Sequence, residues 1–289
     1  MSQTVITLST IPPRFDLIGK TLRSLVRQRH RADEIRLVIP RNYRRFGPAP
    51  DTMPSVPDRV TIMRTEDDLG PATKLLPTLA EFRGRGDTQI AFCDDDMAYP
   101  RFWLQSLIGA AHRHPGCCIA RVGYQFANRP DLWSVSDPDL PEPRVGRVVK
   151  NAAYRLKRIA SLALHKPAPI ATSGYGDVFE GYGGVLLTPA MLPERAFDLP
   201  RGLWTVDDPL LSGFVRSTGT PLWIEGEPQW HPAPTRATNV RRLLHLMQDN
   251  RTREELDAAA IRWCQETLGV FTGVTPLERA ERRRVHEAI

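Results

Sequence analysis

The sequence predicts an α/β fold in which helices flank a mostly parallel central sheet. Short, apolar, β-rich runs alternate with stretches of helical periodicity, and the alternation repeats three times in the first half of the chain. The chain has 289 residues, of which 41% are hydrophobic, so it can bury a sizeable core. We therefore expect a single Rossmann-like domain followed by a helical C-terminal tail.

The first half of the chain accounts for most of the expected sheet. Each strand is a short apolar run that ends in a turn signal, and each helix carries apolar residues at i, i+3 and i+4 spacing. The predicted strands are 4–8, 35–39, 60–63, 89–93 and 118–122, and the predicted helices are 15–29, 72–82 and 101–112.

The second half is less regular. Residues 130–143 are too rich in Pro and Asp for regular structure. An amphipathic helix is predicted at 145–166, a second helix begins within 205–215, and a strand lies near 221–225, with a polar helical tail from about 236. We expect a domain at 1–232, with a nucleotide-binding half (1–125) and an acceptor half (126–232), and a helical extension at 233–289.

Charge and cysteine content restrict the partners only weakly. A net charge of +6 suits a polyanion, a nucleotide phosphate or an anionic membrane, and part of the excess lies in helical segments such as 279–284, so no nucleic-acid partner is expected. The four cysteines form no C-x-x-C pair, and no leader or membrane span is evident. We expect a cytoplasmic protein, with peripheral contact at the inner face of the membrane left open by the 145–166 helix.

The strongest chemical signal is the segment IAFCDDDMAYP, in which an apolar strand ends in three acids. In extended backbone, Asp94 and Asp96 face one side and Asp95 the other. Ligands of open α/β sheets bind at the carboxyl ends of strands, and paired carboxylates suit Mn²⁺ or Mg²⁺. An acidic turn before a helix is the alternative reading.

This strand, D-x-D and Tyr-Pro order resembles the metal motif of the GT-A class of nucleotide-sugar glycosyltransferases. It looks most like family 2-type bacterial enzymes, with some likeness to exostosin-type transferases, and the motif order extends over residues 5–231. The resemblance implies a GT-A fold, Mn²⁺ or Mg²⁺, and a nucleotide diphosphate sugar, first of all a UDP-sugar, as donor. It further implies a hexosyltransferase that acts on a glycan or glycolipid hydroxyl, as in polysaccharide biosynthesis.

Two segments upstream resemble the part of this class that holds the nucleotide. LSTIPPR follows the first strand and offers Thr10 and Arg14, whereas EDDLGPATK follows the third strand and offers Asp68 and Lys74. The helix after Gly70-Pro71 would present its amino terminus to an anionic donor. The resemblance thus assigns the donor to these four residues together with Asp94 and Asp95.

Downstream, GDVFEGYGGVLLTP resembles the glycine-containing segment beside donor sugar and acceptor. The residues expected to bind substrate are Glu180, Tyr182, Gly183, Gly184 and Trp204. A glycine-rich strand entry with a buried tyrosine is the alternative.

Two further motifs complete the resemblance. Asp207 and Asp208 stand where inverting transferases of this type carry the catalytic base, and we expect Asp208 to be the base, with Asp207 as second choice. The family's more usual pair is Glu-Asp, so the stereochemical outcome stays open, and helix capping is the competing role. In PQWHP, His231 resembles the late histidine that joins Asp94 and Asp96 around the metal.

Three other functions compete with this hypothesis. A sugar nucleotidyltransferase should begin with a Gly-rich phosphate loop, which LSTIPPR lacks. A metal-dependent hydrolase usually draws more His and Asp ligands from several strand ends. A basic, non-enzymatic protein that binds anionic lipid or nucleic acid would make no use of the acidic cluster.

Overall fold

A computed structural model describes residues 3–130, 132–135, 140–148, 159–160, 169–226, 231–240 and 248–277. Eight strands within these ranges form the central sheet. They are β1 (Thr4–Ser9), β2 (Glu34–Pro40), β3 (Val60–Thr65), β4 (Gln89–Phe92), β5 (Cys118–Ala120), β6 (Gly174–Tyr175), β7 (Val185–Leu187) and β8 (Leu222–Ile224).

The sheet is mixed but mostly parallel, in the order β6-β8-β5-β7-β4-β1-β2-β3. The β1-β2, β2-β3, β1-β4 and β5-β8 pairs are parallel, while β7 lies antiparallel between β4 and β5, and β6 is antiparallel to β8. Covering helices on both faces explain why the strands are continuous apolar runs, as in β1, where Val5, Ile6 and Leu8 are fully buried.

Five α-helices of the described residues form two layers around this sheet. They are α1 (Gly19–Val26), α2 (Leu76–Glu81), α3 (Trp103–Arg113), α4 (Asp207–Ser217) and α5 (Arg253–Leu268). The apolar stripes of α1 and α3 share one core cluster, and those of α2, α4 and α5 share another. The predicted α/β class is confirmed, and no described helix is long and apolar enough to cross a membrane.

The described residues after 232 pack against the rest of the protein. Ala233–Pro234 pairs with Met97–Ala98, and a short 3-10 helix spans Arg236–Asn239. The Thr252 hydroxyl accepts from the Glu255 N–H to start α5, which packs on α4. The predicted helical tail thus begins with a 3-10 turn, residues 241–247 lie outside the described residues, and an α-helix spans Arg253–Leu268.

Two predicted helices differ from the structure. The 72–82 helix is divided into a 3-10 helix, Gly70–Lys74, and α2, because Pro71 and Pro77 cannot donate the backbone hydrogen bonds of a longer helix. The 145–166 helix is wrong at its start, where Gly146–Arg147 is a strand paired with Ile170–Thr172. Residues 149–158 and 161–168 of that prediction lie outside the described residues.

Candidate active site

The three acids follow β4 in a turn, not in the extended segment that the sequence suggested. Their side chains nevertheless differ in accessibility, since 33% of Asp94 and 16% of Asp96 is exposed but only 6% of Asp95. The Asp95 carboxylate accepts from the Thr10 hydroxyl (2.5 Å) and from Arg14 Nη1 (2.5 Å). Asp95 is therefore an inward-facing anchor, and Asp94 and Asp96 are the acids that a ligand can reach.

Thr10 and Arg14 lie beside the acids and are largely committed to them. Arg14 also approaches Asp96 (3.4 Å), and its Nε donates to the Val240 carbonyl (3.0 Å). Thr10 is buried, and its carbonyl accepts from the Tyr43 hydroxyl (2.9 Å). Thr10 thus holds the acid turn by hydrogen bonds, whereas Arg14 supplies positive charge to Asp95 and Asp96.

The acid turn holds more negative charge than Arg14 neutralises. Burial raises the pKa of Asp95, although Arg14 and the Thr10 hydrogen bond oppose the rise. Burial, together with repulsion from Asp94 and Asp95, raises the pKa of Asp96 to about 7. A cation bound at the turn would therefore most favour the ionised form of Asp96, by offsetting its burial and the repulsion from Asp94 and Asp95.

The backbone of this turn is held by a segment that the sequence did not single out. The Asp96 carbonyl accepts from the Thr235 N–H (2.9 Å), the Thr235 hydroxyl (3.0 Å) and the Thr238 hydroxyl (2.7 Å). These residues follow the short strand that pairs with Met97–Ala98. Only tertiary pairing, across about 140 residues, reveals them.

Lys74 is the centre of the site. Its Nζ lies 2.7 Å from an Asp94 oxygen and 2.8 Å from an Asp207 oxygen, and only 6% of its side chain is exposed. Burial by itself lowers the pKa of Lys74, but the carboxylates of Asp207, Asp94 and Asp208 outweigh burial and raise it well above the ordinary value. The ammonium therefore bridges the acid turn to the acidic start of α4.

The two acids of α4 are differentiated by their surroundings. Burial favours the neutral form of Asp207, but Lys74 and then Arg253 outweigh it and lower its pKa. Arg253, the first residue of α5, itself pairs with Asp257 (3.0 Å) and donates to the Thr205 carbonyl. Lys74 and Arg253 thus hold Asp207 in its ionised form. No local sequence pattern points to Arg253.

The Asp208 carboxyl has a raised pKa, unlike that of Asp207. It is half-buried, and one oxygen accepts from the Gly181 N–H (3.0 Å). Burial, followed by the neighbouring Asp207 charge, raises its pKa well above the ordinary value. A methyl group on Gly181 would lie 2.6 Å from Lys74 Nζ and 3.0 Å from Asp208 Oδ1, so this glycine lets the backbone approach both groups.

Removing the Lys74 charge should destabilise the fold. Lys74→Met leaves Asp207 buried without its main partner, and we expect a loss of about 3 kcal/mol in the free energy of unfolding. Urea denaturation measures the loss. Lys74→Met combined with Asp207→Asn should recover most of it, because no buried charge is then unpaired. An unchanged denaturation midpoint in Lys74→Met would contradict the bridge.

The glycine-rich segment is shaped by packing. Gly184 has φ +96°, and a methyl group there would lie 2.3 Å from the Trp103 ring, while Gly183 is pressed against Val122. The Trp103 indole N–H donates to the Gly183 carbonyl (2.8 Å). Both glycines are buried, so they set the course of the backbone, and the accessible groups nearby are side chains.

Those side chains are Glu180, Tyr182 and His231. Glu180 pairs with Arg147 (3.0 Å), and the Tyr182 ring meets the His231 ring edge-on, with centroids 6.3 Å apart. Burial, and then Arg121, lower the pKa of His231 to about 4, so its imidazole is neutral at pH 7. All three are partly accessible.

Asp68 and Trp204 are connected through Arg44 and Gly70. The Asp68 carboxylate accepts from the backbone N–H groups of Arg44 (2.7 Å) and Gly70 (2.8 Å). The Arg44 guanidinium lies 5.5 Å from the Trp204 ring, and Gly70, at φ +62°, fits closely against the Trp204 carbonyl. Asp68 therefore fixes a loop that holds Trp204 at the edge of the site.

Asp94, Asp96 and His231 are the groups that would have to hold a divalent cation in this site. Asp94 pairs with Lys74 and Asp95 pairs with Arg14, whose guanidinium lies farther from Asp96 (3.4 Å), so Asp96 is the acid of the turn whose charge is least compensated. A neutral His231 is compatible with Mn²⁺. Among the described residues, however, no three His, Cys, Asp or Glu side chains are grouped closely enough to hold a metal by themselves. The predicted set of Asp94, Asp96 and His231 stays a prediction.

The mixed sheet, with acids at the carboxyl end of β4, is of the GT-A type that the sequence predicted. No protein-family model matches the chain, and a search of curated proteins finds no match. The structure of S. aureus TarS 1-349 in complex with UDP-GlcNAc is similar, with a TM-score of 0.51 and 13% identity, over 99% of this chain and 70% of that one. TarS 1-349 in complex with UDP gives a TM-score of 0.44 and 12% identity, over 98% and 69%.

Proposed function

We propose that this protein is a nucleotide-sugar glycosyltransferase that depends on a divalent cation. The observation that carries the proposal is the charge arrangement, in which a partly exposed acid turn and the acidic start of α4 flank one buried ammonium, Lys74. A UDP-sugar is the first donor to consider, since TarS, which has a similar fold, is described in complex with UDP-GlcNAc.

The acid turn is the proposed diphosphate site. Asp96 and the free side of Asp94 would hold Mn²⁺ or Mg²⁺, which supplies positive charge to the leaving diphosphate. Arg14 lies 3.4 Å from Asp96 and adds a second cation there. Asp95 and Thr10 keep the turn in shape, and the loop fixed by Asp68 borders the same side with Trp204.

Asp208 is the proposed base for an inverting transfer. It would take the proton of an acceptor hydroxyl while the hydroxyl oxygen bonds to the anomeric carbon and the bond to the diphosphate breaks. Asp207 keeps a negative charge beside it, because Lys74 and Arg253 stabilise that charge. Glu180, Tyr182 and His231 border the acceptor side, where hydroxyls of a glycan or glycolipid could be bound.

The proposal is tested with a panel of UDP-, GDP- and dTDP-sugars, in Mn²⁺ or in chelator. Slow hydrolysis releases nucleoside diphosphate and needs no known acceptor. We expect release from one donor in Mn²⁺, at least tenfold slower in chelator, together with a rise in melting temperature on adding that nucleotide. The proposal would be refuted if no donor released nucleoside diphosphate and no nucleotide raised the melting temperature.

The same assay separates the competing functions. A sugar nucleotidyltransferase forms or cleaves a nucleotide sugar with pyrophosphate, whereas a glycosyltransferase leaves nucleoside diphosphate. The segment between β1 and α1 begins with the Pro12–Arg14 3-10 turn and not with a Gly-rich loop, which argues against the nucleotidyltransferase. A hydrolase would need no nucleotide.

A further inference from the structure

One face of the protein is strongly basic. The exposed sides of α1 and of the loops at its end and before α3 carry Lys20, Arg23, Arg27, Arg29, Arg31 and Arg101. Within the described residues, none of these six cations makes an ion pair. The basic face is defined by these six residues.

The basic face is continuous. The Arg29 N–H donates to the Arg101 carbonyl (2.7 Å), and the Gln28 side chain donates to the Pro100 carbonyl (2.9 Å). These bonds join the end of α1 to the segment before α3. Asp16 and Asp33 are the acids of the 15–33 stretch, and residues 97–116 contain none. The charge is therefore a local excess and not a mixed solvated surface.

The opposite face differs in kind. Its exposed arginines are interspersed with acids such as Glu194, Asp198 and Glu266, and several of its cations are already in use. Arg83 lies over the Phe197 ring (4.7 Å), and Arg253 is paired with Asp257. Among the described residues, the layer of α1 and α3 thus has a basic surface, and the surface of the other helix layer carries charges of both signs.

The basic face is directly behind the acid turn. On the buried side of α1, the Thr21 hydroxyl donates to the Asp95 carbonyl (2.7 Å), and the Ser24 hydroxyl accepts from the Tyr99 N–H (3.0 Å). Lys20 and Arg23 are neighbours of these residues on the exposed side. One helix diameter, about 10 Å, therefore separates the cations from the site.

We propose that this basic face binds the anionic surface of a lipid bilayer. Six cations spread over a convex helical layer match a plane of negative headgroups. Single-stranded nucleic acid usually needs exposed aromatic rings for base stacking, and the described residues expose none. No exposed apolar stripe accompanies the cations, so the contact is electrostatic and reversible. It places the active site close to the membrane, where lipid-linked acceptors reside.

Vesicle sedimentation of the full chain tests the proposal. We expect binding to vesicles of phosphatidylcholine that also contain anionic phosphatidylglycerol, and none to vesicles of pure phosphatidylcholine. Raising salt should weaken it, since surface charges are screened. The variant with Lys20, Arg23, Arg27 and Arg31 changed to Gln should bind several hundred-fold more weakly, at about fivefold per cation.

A matched control removes the same charge from other surfaces. Arg85, Arg195, Arg201 and Arg262 are exposed, and changing these four to Gln should leave vesicle binding nearly intact. Equal loss in both variants would show that net charge alone matters and would overturn the proposal. So would retained binding in the first variant, or tighter binding to duplex or single-stranded oligonucleotides than to vesicles. Donor hydrolysis, measured without vesicles, should be the same in both variants, which keeps this test independent of the proposed activity.

Discussion

Asp96→Asn is expected to abolish cation-dependent donor cleavage while it stabilises the fold. The Asp96 carboxylate is the least compensated of the acid turn, since Arg14 lies 3.4 Å from it but 2.5 Å from Asp95, and the amide keeps its shape without the charge. Charge supplied by a bound cation contributes several kcal/mol to such a reaction, so we expect a rate loss of about a thousandfold. The free energy of unfolding at pH 7, measured by denaturant titration, should rise by about 1 kcal/mol or more.

The stability gain should depend on pH. A carboxyl whose folded pKa is about 7, above the ordinary value of about 4, opposes folding increasingly as pH rises from 4 towards 7. The difference in unfolding free energy between Asp96→Asn and the unchanged protein should therefore be near zero at pH 4 and largest above pH 7.

Asp95→Asn is the matched control one residue away. Its carboxylate holds Thr10 and Arg14, and Arg14 is only 11% exposed, so this variant should lose stability. A gain in unfolding free energy for Asp96→Asn and a loss for Asp95→Asn would distinguish a functional carboxylate from a structural one. If Asp96→Asn lost stability as Asp95→Asn does, or kept full donor cleavage, the cation site would be wrong.

The sequence predicts the sheet well because its strands are local signals. β1, β2 and β4 are apolar runs bounded by turn residues, and their predicted limits agree with the structure to within one residue. The parallel order follows from the strand-helix alternation. The 145–166 prediction failed at its start because Gly146 and Arg147 have a helix-compatible pattern but pair with a strand at 170–172. Strand pairing between segments about 25 residues apart leaves no periodic pattern in the local sequence.

The acids of the candidate site can be picked out from the sequence, but the ion pairs and hydrogen bonds that connect them cannot. Asp94, Asp96, Asp207 and Asp208 stand at strand and helix ends, where one sequence already indicates ligand chemistry. Lys74 was expected near the nucleotide, yet its bridge to Asp207 joins residues 133 positions apart, and only the packed fold brings them together. Arg253, Arg147 and Thr235 gave no local signal for the same reason.

Asp208→Asn is expected to lower kcat for transfer by between a hundred-fold and ten-thousand-fold, the usual range for removing a general base. The affinity for the nucleotide should stay unchanged, because Asp208 contacts the Gly181 N–H and not the acid turn. Nucleotide titration by calorimetry and single-turnover kinetics measure the two quantities separately. Unchanged transfer in Asp208→Asn, with loss in a folded Asp207→Asn, would assign the base to Asp207.

The pH profile distinguishes a base from a group that merely caps α4. Burial and the Asp207 charge raise the pKa of Asp208, and only its deprotonated form accepts the hydroxyl proton. As pH falls, kcat should therefore decline at a pH well above the ordinary value for Asp, about 4. Asp207→Asn removes the neighbouring negative charge and leaves Lys74 to act more strongly on Asp208, so its decline should move to lower pH. A decline that does not move would mean that the two carboxyls are not coupled in the reaction, and that Asp208 has a structural role at the start of the helix.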